Sequence, residues 1–231
     1  MWISVTASFW SALTSNWRAV FCQGLAQGVS LLALKACHPH SPADVEALCS
    51  SAAIVKAVQH AISERADVLN LSLAGPEDAL MGRMINAAVK GNIAVIAAAG
   101  NHGPKSPPLY PAAFPNVVGV TAIDDRQSIY VNANRGNYVA LAAPGVDLLL
   151  PAPGGRQIVA SGTSLAAAEV SGLLALVLAR NRQASGLTAL GWLLATPVDL
   201  GAKGRDPVFG LGLVNGCAAL VRGLGSVGAC P

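Results

Sequence analysis

Ile93-Ala94-Val95-Ile96-Ala97-Ala98-Ala99 is apolar at every position and stops at Gly100-Asn101. A strand with one wet face alternates apolar and polar residues. A strand that is apolar on both faces has to be covered on both. That is the condition of a parallel sheet between two helical layers, and it constrains the rest of the chain. Val29 to Lys35, Val68 to Leu73, Val117 to Ile123 and Tyr138 to Ala142 read as further strands. Helical patterns lie between them. Glu46 to Ser63 puts Ala53, Ile54, Ala57, Val58 and Ile62 on one face, and Asp78 to Lys90 is a helix closed by Gly91 at its C′ position. A third helix runs from Ser164 to Arg180 and a last one covers Leu187 to Ala195. Strands alternating with helices predict an α/β domain, with a mainly parallel sheet and helices on both faces. The 231 residues suffice for one such domain, assigned to 29–231 behind an atypical segment over 1–28.

Composition excludes some functions. The net charge is only +3, with Lys and Arg scattered, so there is no footprint for nucleic acid. No apolar run is long and uninterrupted enough to read as a membrane span; Leu173 to Ala179 is read as buried helix. Met1 to Phe21 is apolar and rich in Trp, but it lacks the basic n-region of a signal peptide. Five cysteines, Cys22, Cys37, Cys49, Cys217 and Cys230, leave two readings open. Two short-range disulfides, Cys37 with Cys49 and Cys217 with Cys230, plus one thiol would suit an exported protein; five thiols would suit a reducing compartment. No Cys or His spacing suggests zinc.

The chemistry concentrates at Gly162-Thr163-Ser164, where a glycine turn runs straight into the apolar helix. Such a turn presents a serine at a helix N-terminus, where unpaired N–H groups and the positive dipole end favour a developing oxyanion. A serine hydroxyl is a weak nucleophile without an adjacent base. Asn101 follows a strand, on the side of a parallel sheet where functional crevices form, and its amide can donate to a substrate oxygen. Taken alone, Asn101-His102-Gly103-Pro104 reads more readily as a simple turn.

Four segments in order resemble the subtilisin-like serine proteases, the subtilase or peptidase S8 family. They are Asn70-Leu71-Ser72-Leu73-Ala74-Gly75-Pro76, Ala98-Ala99-Gly100-Asn101, Gly162-Thr163-Ser164 and Asp206-Pro207-Val208-Phe209-Gly210-Leu211-Gly212. The resemblance covers Ser30 to Ala219. It implies a subtilisin-like fold, N-terminally incomplete, and a serine endopeptidase in which Ser164 forms an acyl-enzyme. It further implies that Asn101 and the Ser164 N–H hold the oxyanion. Leu71, Ser72, Leu73, Ala74 and Gly75, with Ala98, Ala99, Gly100 and Thr163, would line the peptide cleft, the first group by β-augmentation. The implied location is secreted or periplasmic. No cofactor is implied; calcium is common in the family, but no dense Asp/Asn loop supports it here.

The departures are specific. The family's catalytic Asp and His precede the strand that is here Val29 to Lys35, yet residues 1–28 contain neither residue type. His38, His40, His60 and His102 lack the required context and read as surface or loop histidines, and Asp124 and Asp125 read as a turn. Ala168 stands where the family often has Pro, Glu169 falls near the start of the helix where it suits the dipole, and Ala74 replaces a common Gly. The chain alone is therefore expected to lack a general base. It is also expected to lack the first strand and helix, leaving sheet surface for a missing N-terminal segment or a partner chain. The alternative is a non-catalytic pseudoprotease that binds extended peptide. An unrelated nucleotide-binding domain is disfavoured, since no GxGxxG or Walker loop is present.

Overall fold

A computed structural model describes residues 2–5, 25–26, 28–39, 47–152 and 155–225. The central sheet contains β1 (Trp2–Val5), β2 (Ser30–Ala33), β5 (Val68–Leu71), β6 (Ala94–Ala98), β7 (Val118–Ile123) and β8 (Val139–Pro144). The remaining strands form two hairpins, β3 (Cys37–Pro39) with β4 (Ala47–Cys49), and β9 (Leu148–Ala152) with β10 (Arg156–Ala160). The helices are α1 (Ser51–Ser63), α2 (Ala79–Lys90), α3 (Thr163–Arg180), α4 (Gly186–Leu194) and α5 (Gly216–Leu224).

The six-stranded sheet has the order β2-β1-β5-β6-β7-β8, and every neighbouring pair is parallel. Alternate residues of its strands enter opposite cores, as a two-residue period requires. Leu69, Leu71, Val95 and Ala97 pack with Ile54, Val58, Met81 and Ile85 of α1 and α2. Val68, Ala94, Ile96 and Ala98 pack with Ala166, Val170 and Leu174 of α3 and with Leu190 and Leu193 of α4. The sheet is thus covered on both faces, as the apolar strands demand. Helix α3 is as long and apolar as a membrane span, but its lining residues are core residues against the sheet.

Several expectations change. Trp2–Val5 enters the sheet between β2 and β5, so the first strand, expected to be missing, is present. Trp, Ile and Val are strand formers, and a parallel neighbour on each side supplies their pairing. Helix α1 starts at Ser51 rather than Glu46, because the Ser50 hydroxyl caps it by accepting from Ala53 N at 3.1 Å. The three residues before that cap form β4, paired with β3 and closed by a Cys37–Cys49 disulfide. Cys217 is also disulfide-bonded. Its expected partner Cys230, with Cys22 and His40, lies outside the described residues.

Helix α2 begins one residue after Asp78, whose carboxylate caps it by accepting from Leu80 N and Met81 N. Gly91 is the C-cap of α2 with φ −79°; the left-handed residue is Asn92, at φ 63°. Asn is one of the few side chains that tolerate that region. The hairpin β9–β10 and helix α5 were given no element from sequence. In the hairpin, Leu149 and Val159 are exposed cross-strand partners, so burial leaves no period to read.

Candidate active site

Three strand ends and one helix start converge at the carboxyl edge of the sheet. Gly145 follows β8 and donates from its N to Ile123 O at the end of β7. Gly162 in turn donates to Gly145 O at 2.8 Å. The turn before α3 therefore hangs from the sheet rather than from a free loop. Gly162 is needed for closeness: a Cβ there would lie 3.2 Å from Asn101 Nδ2. As the N-cap of α3, Gly162 also offers no side chain to the helix N–H groups.

Thr163 and Asn101 are interlocked. Asn101 Oδ1 accepts from Thr163 N at 3.0 Å and from Thr163 Oγ1 at 2.9 Å, and Thr163 Oγ1 accepts from Gly100 N at 3.1 Å. A backbone N–H can only donate, so the amide has one possible orientation, with Nδ2 turned outward. Neither Nδ2 of Asn101 nor the backbone N–H of Ser164 has an acceptor among the described residues. Two donors at the start of α3 are thus left without an acceptor, one on Ser164 and one on the amide bound to its neighbour Thr163, and such donors suit charge that develops on a carbonyl oxygen.

The loop that carries Asn101 is held on both sides. Tyr138 Oη donates to Ala99 O at 3.0 Å, Asn134 N donates to Gly100 O at 3.0 Å, and Asn134 Oδ1 accepts from His102 N at 2.8 Å. Burial pushes the Tyr138 hydroxyl up from its ordinary value, which keeps it a donor.

Strand β5 is tied to α3 through a buried polar chain. Asn70, fully buried, donates through Nδ2 to Ser72 Oγ at 2.9 Å and accepts at Oδ1 from Ser171 Oγ at 3.2 Å. Ser72 Oγ donates onward to the Ser164 carbonyl at 3.0 Å. Beyond Leu71 the chain is in neither helix nor strand until Gly75 bridges Tyr110. Leu73 and Ala74 make no backbone hydrogen bond among the described residues, so their polar groups are free to pair with another strand. Asn70, Ser171, Asn134 and Tyr138 were missed from sequence. Asn70 and Ser171 are polar residues inside apolar runs, and that was the available signal.

Among the described residues, no base is brought to Ser164. Its hydroxyl is half-buried and makes no hydrogen bond to any described residue. His38, His60 and His102 are all exposed, and none is bonded to it. Asp124 Oδ1 accepts from Arg126 N and Ser128 N, which makes it a turn residue. Glu169 corrects an expectation: the first turn of α3 holds no acidic residue, so Glu169 does not serve the dipole there. It is half-buried, and desolvation raises its pKa above the ordinary value. Among the described residues, no group of three or more His, Cys, Asp and Glu side chains is arranged to hold a metal ion.

Comparisons with known proteins bear on this geometry. The sequence profile of the subtilase family matches residues 8–212, which starts well ahead of Ser30. The chain is 28% identical over 193 residues to the minor extracellular protease Epr of Bacillus subtilis (strain 168), covering 83% of this chain and 29% of that one. It is 37% identical over 129 residues to an intracellular serine protease of Paenibacillus polymyxa, covering 54% of this chain and 40% of that one. The chain therefore spans less than half the length of these relatives. The prenylagaramide maturation protease PagA shares the fold, with a TM-score of 0.78 at 24% identity over 98% of this chain and 94% of its own. With its profile matched over most of the sequence and its nucleophile turn built on a parallel sheet, the chain belongs to the subtilase family.

Proposed function

We propose that the chain carries the nucleophile and oxyanion side of a serine endopeptidase. Ser164 Oγ would attack the scissile carbonyl and form an acyl-enzyme, while Ser164 N–H and Asn101 Nδ2 receive the negative oxygen. An extended peptide or protein substrate would pair with the free edge at Leu73 and Ala74, between Leu71–Gly75 and Ala98–Gly100, with Thr163 behind the scissile bond. The observation that carries this reading is the Asn101–Thr163 interlock, which leaves two donors unspent beside Ser164.

Turnover by this chain alone would be negligible, because an unactivated hydroxyl remains a weak nucleophile. The second reading, a non-catalytic binder of extended peptide, draws on the same absence of a partner at Ser164 Oγ among the described residues. Labelling with a fluorophosphonate separates the two, with Ser164→Ala as control. Labelling that depends on Ser164 means a base reaches it, from this chain or from a partner chain. No labelling of folded protein supports the binder. A secreted or periplasmic location is favoured by the Cys37–Cys49 disulfide, which persists in oxidising compartments.

A further inference from the structure

Two peptide groups flank Asn101, and one residue far along the chain grips both. The Gly100 carbonyl belongs to the group on the amino side and accepts from Asn134 N at 3.0 Å. The His102 N–H belongs to the group on the carboxyl side and donates to Asn134 Oδ1 at 2.8 Å. Peptide groups are planar, so the φ and ψ of a residue are the settings of the planes on either side of its Cα. Pinning both planes fixes the direction in which the Asn101 side chain leaves the backbone. Thr163 acts one step later, on the amide at the end of that side chain.

Asn134 is itself held where it can do this. It is fully buried, and so is its neighbour Ala133. Its turn is tied to β7, because Ala133 N donates to Tyr130 O and Tyr130 N donates to Ala122 O, both at 2.9 Å. Beyond His102 the contact continues, with Gly103 N donating to Asn132 O at 2.8 Å. The atom facing His102 has to be Oδ1, since a backbone N–H cannot donate to an amide nitrogen. Nδ2 then lies 2.8 Å from the point that a Cβ on Gly100 would occupy, buried and with no hydrogen-bond partner among the described residues. An orphaned donor is costly, so the bonds that Asn134 makes come from its N–H and its Oδ1 alone.

We propose that Asn134 is the positioning residue of the oxyanion donor: by setting both peptide planes around Asn101, it aims Asn101 Nδ2 at the oxygen that attack by Ser164 would charge. This deepens the endopeptidase reading and rests on it for the donor's purpose. Asn134 touches no reacting atom and acts through Asn101. A donor contributes to such a step only when its geometry is fixed in advance, and the supporting contacts supply that fixity.

The test follows hydrogen exchange and side-chain amide resonances by NMR in the full natural chain, in Asn134→Ala and in Asn134→Asp. The aspartate keeps an oxygen acceptor for His102 in either protonation state and gives up only Nδ2. In the natural chain the His102 amide should exchange slowly, although the residue is exposed. In Asn134→Ala it should exchange at least about tenfold faster, as loss of one hydrogen bond implies. The Asn101 side-chain amide resonances should shift in the same variant, while the Val95 and Ile96 amides of β6 keep their protection. Asn134→Asp should restore both signals. A His102 amide that is unprotected in the natural chain overturns the proposal without any variant. Asn101 resonances that stay put in folded Asn134→Ala overturn it too, as does an aspartate variant that behaves like the alanine one. Protection lost evenly through β6 would mean general loosening, and the proposal would fall. If Asn134→Ala does not fold, Asn134→Asp decides: His102 protection kept supports the proposal, and protection lost ends it. A chain that no fluorophosphonate labels would strike the endopeptidase reading and leave these resonances as they are, so the two failures stay apart.

Discussion

Strands β6 and β2 belong to the same parallel sheet but live in different surroundings. Every residue of β6 is buried, and the strand ends where Asn101 is locked to Thr163. Strand β2 sits at the sheet's edge with three of its four residues exposed, Leu31 among them. The difference is one of coverage. β6 has a strand on each side and helices on both faces. β2 has a strand on one side only. Rigid placement of the donors depends on the first kind of environment, because a packed strand end cannot drift. The chain has invested order where a carbonyl oxygen would be held, and much less at the far flank.

That contrast can be broken or sharpened by mutation. Ile96→Ala in β6 should lose about 2–5 kcal/mol of stability, as buried large-to-small changes do. Leu31→Ala in β2 should stay within about 0.5 kcal/mol, as for an exposed site. Chemical denaturation of both variants decides this, and similar losses would mean that β2 is covered in solution.

Asn70→Ala comes next. It takes the donor from the Ser72 hydroxyl and one of two acceptors from the Ser171 hydroxyl, which keeps its bond to Ala167 O at 2.8 Å, and should cost about 1–3 kcal/mol. A loss near zero would show the buried chain between β5 and α3 to be dispensable. Thr163→Val removes a hydroxyl that both donates to Asn101 and accepts from Gly100. About 1–2 kcal/mol should go with it. The Asn101 side-chain amide should also become a mobile, fast-exchanging resonance in NMR, and an unchanged resonance would break the interlock argument.

The smallest effect belongs to Glu169 and is seen through pH. Burial raises its pKa in the folded chain above the unfolded value of 4.5, so the charged form is disfavoured by folding. Its contribution to stability is fully present below the unfolded value and is lost as pH rises through the raised one. Glu169→Gln should therefore melt slightly higher than the natural chain at neutral pH, and the gap should close in acid. A gap independent of pH would refute the desolvation account.

Much of the fold was legible because its signals are local. Uninterrupted apolar runs such as Ile93–Ala99 have to be buried, the Gly-Asn that ends this one marks it as a strand, and Asp78 announces its helix by capping chemistry. Elements without such signals were invisible. Leu149 and Val159 are apolar yet exposed, so the β9–β10 hairpin shows no in–out period, and Trp2–Val5 is a strand only because neighbours far along the chain flank it. In the site, Ser164 was singled out by the glycine turn that carries it and Asn101 by the family resemblance. Asn134 and Tyr138 were not, since their significance lies in what they touch across long sequence gaps.

By itself, then, the sequence determined that this is a parallel sheet between two helical layers, that Ser164 stands two residues after a glycine at a helix start, and that residues 1–28 hold no Asp or His. Those are properties of composition and of residues near one another along the chain. Only the tertiary structure decided which way the Asn101 amide points, that Ser72 reaches the Ser164 carbonyl, and that Tyr138 reaches the Ala99 carbonyl. Each of these is a contact of a few ångströms between segments tens of residues apart. Packing sets such distances, and no local pattern encodes them.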